Sequence, residues 1–108
     1  MSLIYPFFFQ YDVQPSVQHP ERDTFAGGIA TVIVFAENSE RGQARASRRV
    51  GRNKWQITEV KRSMVIESYH VDNLDGELKR LYTKAEQNGI AAVFDGWEKT
   101  GVRHCYHG

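Results

Sequence analysis

The sequence predicts an α+β fold, a ferredoxin-like sandwich with an antiparallel or mixed sheet of four to five strands and two helices on one face. Three observations lead there. Apolar, β-type runs recur at residues 3–13, 29–36, 54–69 and 90–95. Two helical patterns fall between them, one starting near Asn38 and one after Asp72. The chain has 108 residues, room for a single domain spanning 1–108, so these elements share one sheet.

Residues 3–13 (LIYPFFFQYDV) are aromatic and β-prone. Pro6 lacks an N–H for a ladder, which places this strand near an edge. Residues 14–28 (QPSVQHPERDTFAGG) carry two prolines and two glycines and form a long loop. Gly27-Gly28 gives a tight entry into the next strand, not a phosphate loop, because phosphate loops follow a strand and open a helix. Residues 29–36 (IATVIVFA) are apolar at both parities. Such a strand is covered on both sides or lies in a dimer interface.

Asn38 or Ser39 offers an oxygen to the free N–H groups of a first helical turn. The helix runs to about Arg49 and stops near Gly51 or Asn53. In residues 54–69 (KWQITEVKRSMVIESY), Trp55 and Ile57 share one parity, and Val60, Met64 and Ile66 share the other. The switch predicts a bulge, a bend or a hairpin turn at Lys61–Ser63. A hairpin gives the ferredoxin-like sandwich; one long strand allows a small three-layer arrangement. Asp72-Asn73 caps a helix on which Leu74, Leu78, Leu81, Tyr82 and Ala85 form one stripe, and Asn88-Gly89 stops it. Residues 90–95 (IAAVFD) are a strand, Asp95-Gly96 a turn, and 99–108 a C-terminal tail with a short strand at Val102–Tyr106. Trp55 and Trp97 are packing residues. This succession resembles that of small ferredoxin-like domains in pattern, without a family-specific motif.

Composition bounds the function. The chain is 41% hydrophobic and 25% charged, with net charge +1. No apolar run approaches the ~18–20 residues that cross a bilayer, so no membrane partner is expected. The segment from Met1 to Phe7 lacks a basic region and a cleavage site, which argues against a secretory signal. Cys105 is the single cysteine, which suits a reducing, cytoplasmic setting.

Charge is unevenly spread. Residues 37–62 hold eight basic residues against three acids, whereas 72–98 hold six acids against three bases. On a helical wheel Arg41, Arg45, Arg48, Arg49 and Arg52 fall in one stripe, with Ala44, Ser47, Val50 and Gly51 broadly opposite. The stripe is either a solvated helix face, with Glu37 supporting Arg41 at i,i+4, or a phosphate-binding face for RNA or DNA over residues 37–54. No RNP-like or helix-turn-helix pattern accompanies it.

Other chemistry is weaker. His104-Cys105-Tyr106-His107 holds three potential metal ligands, but a structural zinc needs four and the partner pair is missing, so no metal or cofactor is expected. Cys105 as a nucleophile needs a base, and His104 points to the other face of a strand. His70, with Glu67 and Tyr69, and with Asp72, Asp95 and Glu59 more loosely, is a candidate acid–base cluster; its plain alternative is loop and capping residues. The leading expectation is a non-enzymatic binding module acting as a homodimer. The rivals are a nucleic-acid-binding domain using the arginine face and a small dimeric ferredoxin-like enzyme or ligand binder.

Overall fold

The computed structural model describes residues 3–108. Met1 and Ser2, the start of the segment read as lacking a secretory signal, lie outside them. Five strands form one antiparallel sheet: β1 (Tyr5–Pro15), β2 (Phe25–Ala36), β3 (Trp55–Val65), β4 (Ile90–Glu98) and β5 (Arg103–His107). Their spatial order is β3-β1-β2-β4-β5. Three helices accompany them among the described residues: α1 (Ser39–Arg52), α2 (Ser68–Asp72) and α3 (Gly76–Asn88). None is long and apolar enough to cross a membrane.

The fold is α+β, but the helices lie on opposite faces of the sheet, not on one. Ala46 and Val50 of α1 pack on Phe7, Phe9, Val32 and Phe94. Leu81 and Ala85 of α3 pack on Ile33, Ala91 and Val93. The cause is visible in β2. Ala30, Val32 and Val34 face one side and Ile33 and Phe35 the other, so each side needs an apolar layer. The first two strands also pair directly as a hairpin, where a ferredoxin-like sandwich puts a helix between them. With both faces of β2 covered from within the chain, that strand no longer calls for a second copy.

β3 is one strand, not a hairpin. Its pairing with β1 shifts register between Gln10 and Tyr11 and between Asp12 and Val13, leaving Lys61 and Thr58 as extra residues. The bulge at Thr58 carries Val60 to the face of Trp55 and Ile57, opposite Tyr11, and the one at Lys61 restores the alternation, so Met64 and Ile66 face the α3 side with Phe8. The two bulges lie in an edge strand with Glu59, Lys61 and Arg62 exposed, a charged and irregular edge that resists pairing with another sheet. β1 lies inside the sheet, between β3 and β2, not at an edge. Pro6 is tolerated because it is the second residue of the strand, where a missing N–H costs little.

The loop expected over 14–28 shrinks to 16–24, because Gln14 and Pro15 extend β1 and Phe25–Gly28 belong to β2. Gly28 is required inside the strand: a Cβ there would lie 2.9 Å from the carbonyl oxygen of Asp95. Asp95-Gly96 is not a turn; both residues belong to β4. The tail 99–108 also becomes structure, since 103–107 pair with β4. Asn38 caps α1, its Oδ1 accepting from the Arg41 N–H at 2.8 Å, an interaction worth about 1 kcal/mol. Asp72-Asn73 does not cap the long helix. It ends the short α2, and Asp75 occupies the N-cap of α3. Gly89 ends α3 with φ 83, the left-handed conformation that glycine adopts without strain.

Candidate functional site

The inner stripe of α1 is Gly42, Ala46 and Val50 at i, i+4 and i+8. Ala44 and Gly51, expected inside, are exposed. Gly42 sets this roll. A Cβ there would lie 3.3 Å from the Phe7 ring and 3.4 Å from the Phe9 ring, so the helix backbone rests directly on β1.

The roll changes the arginine stripe. Arg45 and Arg49 each sit one residue before a buried position, so they run along the flank of the helix and are half-buried. Arg45 Nη1 donates to the Phe35 carbonyl at 2.6 Å. Arg49 Nη1 donates to the Gly108 carbonyl at 3.1 Å. Arg41, Arg48 and Arg52 are exposed. Among the described residues none of the five makes an ion pair, and the expected Glu37–Arg41 pair is not formed. Glu37 precedes the N-cap and so lies outside the helical register that would bring the two together. Arg45, Arg48, Arg49 and Arg52 converge on a groove of about 170 Å³ beside Ile90.

Arg52 also lines a second, larger cleft of about 730 Å³. Lys54, Arg103 and His104 add donors around it, and Phe25 and Tyr106 supply rings. Three local features build this cleft. First, a bulge between Phe25 and Gly27 turns Phe25 onto the α1 face. Second, Gly96 clears space for rings; a Cβ there would lie 3.1 Å from Trp55 and 3.2 Å from Phe25. Third, Lys54 closes the two-residue α1–β3 connection with φ 69, an uncommon conformation for a residue with a side chain. Trp55 is 2% exposed, stacks against Phe94 at 6.2 Å, and its Nε1 donates to the Tyr106 hydroxyl. Both Trp55 and Trp97 are thus packing residues, with Arg103 over the Trp97 ring at 5.8 Å.

Two histidines flank the Phe25 ring edge-on, His19 at 5.6 Å and His104 at 5.8 Å. Burial lowers the His19 pKa below its ordinary value, and Glu21 only partly offsets this. His104 Nε2 lies 2.8 Å from Glu98 Oε2. No local pattern marks His19, Phe25 or Arg103, which are far from α1 along the chain. The alternation of β5 was legible, and it separates His104 and Tyr106 from Cys105 and His107.

The remaining candidates disperse. His107 pairs with Glu77 of α3 at 3.4 Å, while His104 pairs with Glu98 beside the Phe25 ring. Among the described residues no three metal-ligating side chains come together. Packing around the Cys105 thiol, then the negative fields of Glu77 and Asp95, push its pKa up, so it stays a protonated, poor nucleophile. His70 and Glu67 form a reciprocal cap at the start of α2, with His70 Nδ1 accepting from the Glu67 N–H at 3.0 Å. Tyr69 is exposed and packs on the His70 ring at 4.1 Å. Glu59 on β3 and Asp95 on β4 are separated by β1 and β2, so they do not join His70 in an acid–base cluster.

Compared with family models, with curated proteins and with solved structures, the chain gives no match.

Proposed function

We propose that this chain is a non-enzymatic binding module whose ligand is single-stranded nucleic acid. One observation carries the reading. Arg52 joins the arginine groove of α1 to the aromatic cleft, giving one basic track in which, among the described residues, no arginine of the stripe is paired with a carboxylate. Cationic grooves take phosphates, and rings beside them take unstacked bases. A single strand suits this geometry better than a duplex. α1 lies flat on the sheet, held by Arg45 and Arg49, and does not project as a groove-reading helix. The half-buried Tyr106 ring, which lines this cleft and packs on Phe94, offers a face to an unpaired base.

Fluorescence anisotropy against a short single-stranded RNA and a duplex DNA, at low and moderate salt, tests the reading. The expected result is saturable, salt-sensitive binding with preference for the single strand. The double variant Arg48→Glu, Arg52→Glu is expected to weaken it at least tenfold with the fold intact, because both side chains are exposed. Binding unchanged by that variant rules the track out.

Action as a homodimer forms a second part of the proposal. It is supported by an apolar cluster at the start of the chain, where Leu3 is 70% and Ile4 60% exposed. Sedimentation equilibrium of Leu3→Ser, Ile4→Ser beside the parent chain decides it; a parent that stays monomeric at high concentration removes the dimer. A cytoplasmic setting goes with this reading, since an exposed single cysteine suits a reducing compartment.

A further inference from the structure

α3 covers only part of its sheet face. It packs over β2 and β4 through Leu81 and Ala85, leaving the β1–β3 side less protected. A cleft of about 350 Å³ opens there. Phe8, Ile33 and Ile66 line it from the sheet side, and Leu74 and Leu78 line it from the helical side. Met64 adds a flexible thioether that adapts to an occupant. Leu78 is 39% exposed, so apolar surface meets water in the absence of an occupant.

Two polar side chains also line this cleft, Arg62 and His70. Arg62 stands on β3 two residues before Met64, on the same side of the strand, and makes no ion pair among the described residues. The capping bond fixes the role of His70. With Nδ1 accepting from the Glu67 N–H, the neutral ring carries its proton on Nε2, which is a donor. The Tyr69 ring packs against the imidazole at 4.1 Å, tilted by 40°.

We propose that this cleft binds a small amphiphilic anion, a single apolar chain ending in a carboxylate. The volume is near the lower end for ligand pockets, which suits one chain and not a two-chain lipid. The head group follows from the donors. One guanidinium fork matches one carboxylate in shape and charge, and one imidazole N–H adds a neutral hydrogen bond. A dianionic phosphate ester would keep a charge without a partner. The site lies on the opposite face of the sheet from α1 and does not depend on nucleic-acid binding.

Decanoate is the probe, and decan-1-ol is the control with the same chain and no charge. Methyl resonances of the full chain are followed through each titration. The expected result is saturable shifts confined to Ile33, Met64, Ile66, Leu74 and Leu78, with decanoate bound at least tenfold more tightly than decanol. Arg62→Gln, an exposed substitution that leaves the core intact, is expected to weaken decanoate at least tenfold and leave decanol unchanged. Met64→Trp fills the cleft and is expected to abolish both. Shifts scattered over the surface, no shifts at millimolar decanoate, or equal decanoate affinity in Arg62→Gln would each overturn the proposal.

Discussion

Arg45 donates to the carbonyl oxygen of Phe35 at 2.6 Å, and this bond divides an arginine stripe that looks uniform in sequence. Arg45 and Arg49 tie α1 to the backbone at Phe35 and Gly108. Arg48 and Arg52 are exposed and free of ion pairs among the described residues. Arg45→Ala is expected to lower stability by about 1–2 kcal/mol, below the full value of a charged hydrogen bond because the group is half-exposed. Arg48→Ala is expected to stay within about 0.5 kcal/mol of the parent. Urea unfolding separates the two, and equal losses would contradict the division.

Binding to a single strand is expected to fall linearly in log affinity against log salt. Four phosphates neutralised along the track give a slope of roughly −3. The Arg48→Glu, Arg52→Glu variant is expected to flatten that slope by at least one. A slope near zero for the parent would mean that the track holds no phosphates.

Lys54 separates stability from binding. Its φ of 69 is strained for a side-chain-bearing residue, and it lines the cleft next to Arg52. Lys54→Gly is expected to leave stability unchanged or raise it by up to about 1 kcal/mol, while weakening nucleic-acid binding. Thermal unfolding and anisotropy on the same variant give both numbers. A clear loss of stability would refute the strain argument.

Gly28 and Gly96 differ in what a methyl group would meet. At Gly28 the obstacle is the Asp95 carbonyl oxygen at 2.9 Å, which belongs to the paired strand and cannot move alone. At Gly96 the nearest atoms belong to the Trp55 and Phe25 side chains, beginning at 3.1 Å. Both alanine substitutions are expected to destabilise, by about 1–3 kcal/mol, with Gly28→Ala the worse. Only Gly96→Ala is expected to shift Trp55 fluorescence, because only it displaces that ring.

His19 makes stability depend on pH. Burial lowers its pKa below the ordinary 6.5, so the unfolded chain binds this proton more readily than the folded one. The sign follows. Stability is fully present above 6.5 and declines as pH falls below it toward the lowered folded value. His19→Asn is expected to flatten the profile of urea midpoint against pH in that window. An unchanged slope would assign the dependence to other groups.

Much of this was determined by the sequence itself. The apolar runs, the Asn38 cap, the Gly89 stop and the parity switch in β3 are local signals, because caps and alternation act within a few residues. The two apolar parities of β2 already stated that both faces need cover. Tertiary structure decided what supplies that cover. A hairpin of β1 and β2 left room for a helix on each face, and nothing local distinguishes that from two helices on one. The candidate site divides in the same way. The arginine stripe was legible, because helical spacing is fixed at 3.6 residues per turn. Its roll was not, because Gly42 sets it against Phe7 and Phe9 from another strand. The cleft that Arg52 completes draws His19, Phe25 and Arg103 from distant stretches of chain. Only strand pairing and a bulge at the start of β2 bring them together.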